Sequence, residues 1–115
     1  MNPLDILYED NHLIAINKKA GELVQGDKTG DIPLSETVKA FIKQRDQKPG
    51  NVYLGVPHRL DRPTSGVIIF AKTSKILPRM NALFASQEAH KTYWALVQPT
   101  PENHSETLAH WMVRN

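Results

Sequence analysis

The 115-residue chain contains no cysteine. That excludes disulfides, thiolate zinc sites, iron–sulfur clusters and a cysteine nucleophile together, and it fits a reducing, cytoplasmic setting. Long apolar runs are missing too. The longest uncharged one, Gly66 to Ala71, is far too short to cross a bilayer, so no membrane partner is expected. Met1-Asn2-Pro3-Leu4-Asp5 offers neither a basic n-region nor an apolar h-region, and no signal peptide is expected. Charge of one sign is in short supply: 14 Lys and Arg stand against 12 Asp and Glu, a net +2. Such a balance permits nucleic-acid binding without arguing for it, and the distribution of the cations matters more. Neither Gly-x-x-x-x-Gly-Lys-Ser/Thr nor Gly-x-Gly-x-x-Gly occurs, and His12, His58, His90, His104 and His110 form no His-x-x-x-His pair. Nucleotide-cofactor folds and a zinc site therefore lack support. There is no internal repeat. With 40% apolar and 23% charged residues, the chain reads as a globular one of about a single domain's length.

Ile6-Leu7-Tyr8-Glu9 and Leu13-Ile14-Ala15-Ile16 are short apolar stretches with turn chemistry at Asp10-Asn11 between them, which predicts a hairpin. Gly26 to Pro33 is a loop by composition. After it Leu34, Val38, Phe41 and Ile42 form the apolar stripe of a helix, with Asp31 or Ser35 as candidate caps and Lys48-Pro49-Gly50-Asn51 as its stop. Tyr53 to Val56 reads as a strand. Gly66 to Ala71 is a β-branched run that predicts a strand buried on both faces. A second helix follows, marked by Ile76, Leu77, Met80, Leu83 and Phe84, with Pro78 in its first turn. Lys91 to Val97 alternates as a strand does, and Leu108 to Val113 could start another. The order predicts an α+β fold with a mixed, largely antiparallel sheet flanked by helices.

The segment from Val56 to Gly66 carries the chemistry. It packs Arg59, Arg62, His58, Asp61, Thr64 and Ser65 between two expected strands, where binding and catalytic residues concentrate. The nearby cations favour an ionised Asp61, suited to act as nucleophile or base on a phosphate-bearing substrate. A plainer reading has Asp61 salt-bridged to an Arg or capping a turn through Thr64. Lys91 and Tyr93 have same-face spacing on a strand. An aromatic ring beside a cation suits stacking of an unpaired base, although, taken alone, the pair is better explained as a half-buried strand aromatic next to a solvated edge lysine. An acyl-transfer triad of His58, Asp61 and Ser65 is disfavoured. The three crowd one loop, and no Gly-x-Ser-x-Gly elbow exists.

His58-Arg59-Leu60-Asp61-Arg62-Pro63-Thr64-Ser65-Gly66, followed by an apolar strand ending in Ala71-Lys72, resembles the signature of the RluA-type pseudouridine synthases. Asn17-Lys18-Lys19-Ala20-Gly21 is similar to that family's Asn-Lys-Pro-Ala-Gly element, with Lys19 in place of Pro, and Lys91-Thr92-Tyr93-Trp94-Ala95 matches its Lys-x-Tyr-x-Ala strand. The resemblance implies the pseudouridine synthase fold and an isomerase acting on uridine in structured RNA, either rRNA or tRNA, with no cofactor and no metal. It makes Asp61 the catalytic aspartate and Tyr93 the tyrosine that packs on the target base and assists proton transfer. It makes Arg59 the arginine that holds the base outside the helix. His58, Arg62, Thr64 and Lys91 count with them as RNA- or base-positioning residues. Lys18, Lys19, Lys72, Lys75 and Arg62 are candidates for phosphate contacts.

One element of the family is unmatched. A His-Gln-Ile-Arg-like stretch, whose Arg pairs with the catalytic Asp, has no counterpart after Tyr93. Residues 1–115 are therefore expected to be the N-terminal portion of a catalytic domain, incomplete at the C-terminus, without an S4-type domain and inactive alone. The competing expectation is a non-catalytic RNA-binding fragment that keeps the Asp loop.

Overall fold

Asp10 and Asn11 interrupt two apolar stretches and make the hairpin that starts the fold. The computed structural model, described for residues 4–100, 102 and 105–113, pairs β1 (Ile6–Glu9) antiparallel with β2 (Leu13–Lys18). The Asp10 carboxylate accepts the His12 and Leu13 N–H groups at 2.8 Å each, the local bonding that favours Asp in turns. β3 (Gly66–Ala71) pairs antiparallel with the other side of β2, giving the order β1-β2-β3. Directly opposed residues share a face of a sheet. Ile14 opposes Phe70, Ile16 opposes Ile68, and Lys18 opposes Gly66, so Lys18 ends a row that is otherwise hydrophobic core.

α1 (Leu34–Asp46) covers that face. Its Leu34, Val38 and Ile42 join Ile14, Ile16, Ile68 and Phe70 in one cluster, as the spacing predicts. Each such side chain contributes roughly 1.5–3 kcal/mol on burial. The start of α1 differs from expectation: neither Asp31 nor Ser35 caps it, and Pro33 holds the N-cap position with no side-chain bond. The first helical N–H groups need acceptors whatever the sequence supplies. Here Leu34 and Ser35 donate to the Leu23 and Val24 carbonyls at 2.6 and 3.1 Å. α2 (Leu77–Ala85) carries Pro78 in its first turn, as predicted.

The α+β class holds, but among the described residues the sheet has three strands and is wholly antiparallel rather than mixed. Tyr53 to Val56 forms no strand; only Gly55 bridges Ala71, each N–H meeting the other's carbonyl at 2.8 and 2.9 Å. Pro57 has no N–H with which to continue that ladder. A Cβ at Gly55 would lie 2.9 Å from Leu77 Cδ2, so a side chain there would have to displace the tip of Leu77. Residues 91–97 and 108–113 are likewise not strands. Alternation supplies faces, but a strand also needs a neighbour for its backbone bonds, and none of the described residues pairs with them. β3 is not buried on both faces either. Val67 is 53% exposed while Ile68 and Phe70 are fully buried, because α1 covers one side only. Among the described residues no helix is long and apolar enough to cross a membrane.

At the end of the sheet where Lys72 follows β3, one carboxylate ties three elements together. Glu9 accepts both Arg45 guanidinium N–H groups at 2.6 and 2.7 Å and the Lys72 ammonium at 2.6 Å. The Arg45 bond, assisted by Lys72 and opposed by partial burial, lowers the Glu9 carboxyl from an ordinary 4.5 to about 2. A depressed carboxyl pKa stabilises the fold fully above the unfolded value, and the contribution is lost as pH falls through the folded one. A shift of this size corresponds to roughly 3 kcal/mol. We expect urea unfolding of the wild-type chain to weaken steeply between about pH 4.5 and pH 2, and Glu9→Gln to remove most of that acid limb while lowering stability at neutral pH.

Candidate functional site

Lys18 leaves the core face of β2 and runs out of apolar neighbours. Its side chain has no solvent exposure, and a buried ammonium must find acceptors. Four backbone carbonyls supply them: Lys19 at 3.2 Å, Asp61 at 3.3 Å, Arg62 at 3.0 Å and Thr64 at 2.5 Å. Three of the four belong to the loop before β3. An ammonium has three hydrogens, so at least one is shared between two oxygens. Burial pulls the Lys18 pKa down, partly offset by Glu22.

A second clip joins the same two segments. The Gly21 N–H donates to the Arg62 carbonyl at 2.7 Å, and Arg62 Nε donates back to the Gly21 carbonyl at 2.9 Å. Gly21 holds φ +95° there, a conformation that side chains resist. The rest of the Arg62 guanidinium reaches Asp31 at 2.6 Å. Thr64 N–H closes a turn onto the Asp61 carbonyl at 2.9 Å, and Gly66, at φ +145°, lets the chain swing into β3. The loop is thus fastened by its backbone.

The Asp61 carboxylate is left alone. It is exposed, and among the described residues it forms no ion pair and no side-chain hydrogen bond. Neither plainer reading of Asp61 occurs: Arg62 pairs with Asp31 instead, and the turn to Thr64 uses the Asp61 carbonyl, not its side chain. Arg59 is exposed and makes no hydrogen bond to a described residue.

Beside the loop lies a cleft of about 460 Å³. Leu60, Thr64, Ile69, Phe84, Lys91 and Tyr93 are among the residues that line it. The His58 imidazole stacks on the Phe84 ring, centroids 4.5 Å apart and planes 19° from parallel. His58 Nε2 accepts the Ile69 N–H at 2.9 Å. Burial, with a smaller effect from the Lys91 charge, pushes the His58 pKa below its ordinary value. Lys91 Nζ sits 5.7 Å from the Phe84 ring centre, close enough for a cation–π attraction. Among the described residues no three His, Cys, Asp or Glu side chains converge as metal ligands would.

The structure gathers His58, Thr64, Lys91 and Tyr93 around the cleft, with Asp61 and Arg59 on the adjoining loop. Lys91 and Tyr93 meet it from an irregular segment, not as same-face neighbours on a strand. Two of the cations expected at phosphates are engaged within the chain. Lys18 has no surface to offer a phosphate. Lys72 is held by Glu9 and by the Asp10 carbonyl at the opposite end of β3, roughly 20 Å along the strand from Gly66. Arg62 is committed to Gly21 and Asp31, whereas Lys19 is exposed and its side chain makes no bond to a described residue. Sequence reasoning missed Phe84, whose helical spacing marks it as inward-facing but says nothing of His58, and it assigned Asp31 to the helix cap.

Comparison with known proteins agrees with the loop signature. The pattern of the RNA pseudouridylate synthase family matches residues 12–115. The chain belongs to the RNA pseudouridylate synthase family, and the RluA-type resemblance of its Asp loop holds. It is 40% identical over 103 residues to tRNA pseudouridine synthase C of Vibrio vulnificus, covering 90% of this chain and 40% of that protein. It is 44% identical over 95 residues to the protein of the same name from Haemophilus ducreyi, covering 83% and 37%. Human RNA pseudouridylate synthase domain containing 4 superposes with a TM-score of 0.62 at 26% identity, over 73% of this chain and 30% of that one. The chain therefore spans about two fifths or less of these relatives' lengths.

Removing the Lys18 ammonium takes away the donor of the Thr64 carbonyl, while the Lys19, Asp61 and Arg62 carbonyls keep the Glu22, Thr64 and Gly21 N–H groups; an unsatisfied group costs about 1–3 kcal/mol. We expect Lys18→Met to lower stability to urea by about 1–3 kcal/mol, and to speed hydrogen exchange at the Thr64 amide beyond what global unfolding accounts for.

Proposed function

We propose that this chain carries the reacting carboxylate of an RNA pseudouridine synthase whose substrate is a uridine in tRNA. The observation that supports it most is the division of labour in the Asp61 loop. Three carbonyl contacts to Lys18 and the Gly21–Arg62 clip hold the backbone, while the Asp61 carboxylate stays exposed and, among the described residues, unpaired. A carboxylate spent on a structural ion pair could not reach a substrate; this one is free to. The tRNA substrate is favoured by the names of the relatives in Vibrio and Haemophilus.

The reaction is an isomerisation. The C1′–N1 bond breaks with help from Asp61, by attack at C1′ or by proton removal at C2′. The freed uracil turns, and its C5 joins C1′. C5 gives up its proton and N1 takes one, so atoms balance without a cofactor. C1′ is shielded inside a stacked helix, and taking the nucleotide out costs a few kcal/mol. The cleft beside the Asp61 loop is lined by the apolar Leu60, Ile69 and Phe84 and by Tyr93, which suits a planar base. Arg59 is placed to stack or to contact phosphate where the base has left.

Lys19, Arg59 and Lys91 are exposed and have no carboxylate partner among the described residues, and they are the cations we assign to RNA contact; Arg62 acts through the loop. Two measurements test this reading in the natural protein that carries the segment. Tritium release from tRNA labelled at uridine C5 is expected to vanish in Asp61→Asn while tRNA binding persists; release at the parent rate would overturn the assignment. Arg59→Ala and Lys91→Ala should each reduce the slope of log affinity against log salt by about 0.7–0.9, whereas Lys72→Ala should leave it unchanged. Binding without release in the parent protein would favour an RNA-binding module instead.

A further inference from the structure

The outer edge of β3 is closed in an unusual way. Gly55 exchanges both backbone bonds with Ala71, which in a regular ladder would place the next backbone acceptor opposite Ile69 two residues on. Pro57 interrupts the run. Two residues before Ala71, the Ile69 N–H instead donates to a side chain, His58 Nε2, at 2.9 Å. His58 is held in that place by its stack on Phe84 of α2, and it is followed three residues later by Asp61.

We propose that His58 is the positioning residue that sets where the Asp61 loop leaves β3, its Nε2 lone pair replacing the backbone acceptor that a fourth strand would supply. The proposal rests on Asp61 being the reacting carboxylate. Its chemistry is specific. An imidazole that accepts at Nε2 carries its single proton on Nδ1. Adding a second proton puts two donors face to face and breaks the bond to Ile69. The surroundings favour the unprotonated acceptor. α2 contributes the Phe84 ring, β3 the Ile69 N–H, and the facing segment brings the Lys91 cation with His90 and Tyr93. The charged residues within the loop are Arg59, Asp61 and Arg62, the last committed to Asp31. The Lys18 knot fastens the far half of the loop, from Asp61 to Thr64, and His58 fastens its beginning. Together they leave Arg59 and Leu60 as the span between two fixed points.

Two variants separate the roles of the ring. His58→Phe keeps an aromatic on Phe84 and removes the acceptor. His58→Gln places a carbonyl oxygen near the position of Nε2 and cannot titrate. In nitrogen-15 NMR of the chain, Nε2 is expected to report as an unprotonated acceptor near neutral pH. The Ile69 and Thr64 amides should shift together with the His58 titration as pH falls from about 8 to about 5, and His58→Gln should abolish that shift. In the natural protein, His58→Phe should lower kcat for pseudouridine formation at least about tenfold with little change in KM. His58→Gln should recover most of the loss and flatten the acid side of the kcat profile. A protonated Nε2 near neutral pH, an Ile69 amide blind to His58, or an unchanged kcat in His58→Phe would each overturn the proposal and leave the role of Asp61 standing. An unchanged kcat in Asp61→Asn would overturn the reading of the site itself, while the NMR titration would still decide what His58 does.

Discussion

The site is organised by a lysine that has no access to water. Lys18 follows a row of aliphatic residues on β2 and inherits their direction. An ammonium placed there must be surrounded by acceptors or stay unfolded. The chain answers with carbonyls from its own loop, so the shape of residues 61–64 is set by the need to converge on one nitrogen. Side chains of that loop are thereby released from structural duty. This is why an aspartate flanked by two arginines ends with its carboxylate unpaired.

The same logic sorts the cations. A near-neutral chain suggests a weak field, yet several of its positive charges are consumed internally: Lys18 by carbonyls, Arg45 and Lys72 by Glu9, Lys39 by Glu36, and Arg62 by Asp31. Those left over near the cleft are Lys19, Arg59 and Lys91. What a polyanion meets is this remainder, not the sum. The internal pairs also fix opposite ends of β3, one at the Asp loop and one at Glu9.

Much of this was legible in the sequence. The β1–β2 hairpin, both helices and β3 follow from periodicity and turn chemistry, and the Asp loop stands out as a motif. The two motifs that look separate, Asn17 to Gly21 and His58 to Gly66, are joined through Lys18, Gly21 and Arg62. Nothing in one-dimensional spacing announces that contact. The expected strands at residues 53–56 and 91–97 show the limit from the other side. Their alternation is real, but hydrogen bonding is a property of two segments, and a single one cannot disclose its neighbour. The caps of α1 were misread for the same reason, since their acceptors came from the backbone of Leu23 and Val24. Which cations are spent internally likewise depends on long-range partners, such as Asp31 for Arg62.

The two tryptophans, Trp94 and Trp111, are 96% and 101% exposed. Their indoles meet water in the folded chain as they would in an unfolded one, so intrinsic fluorescence is a poor reporter of folding here. It becomes a reporter of something else. Trp94 stands at the cleft, and any molecule that settles there changes its surroundings from solvent to contact. The chain carries, at the rim of its candidate site, a built-in optical probe whose background is silent to the stability of the fold.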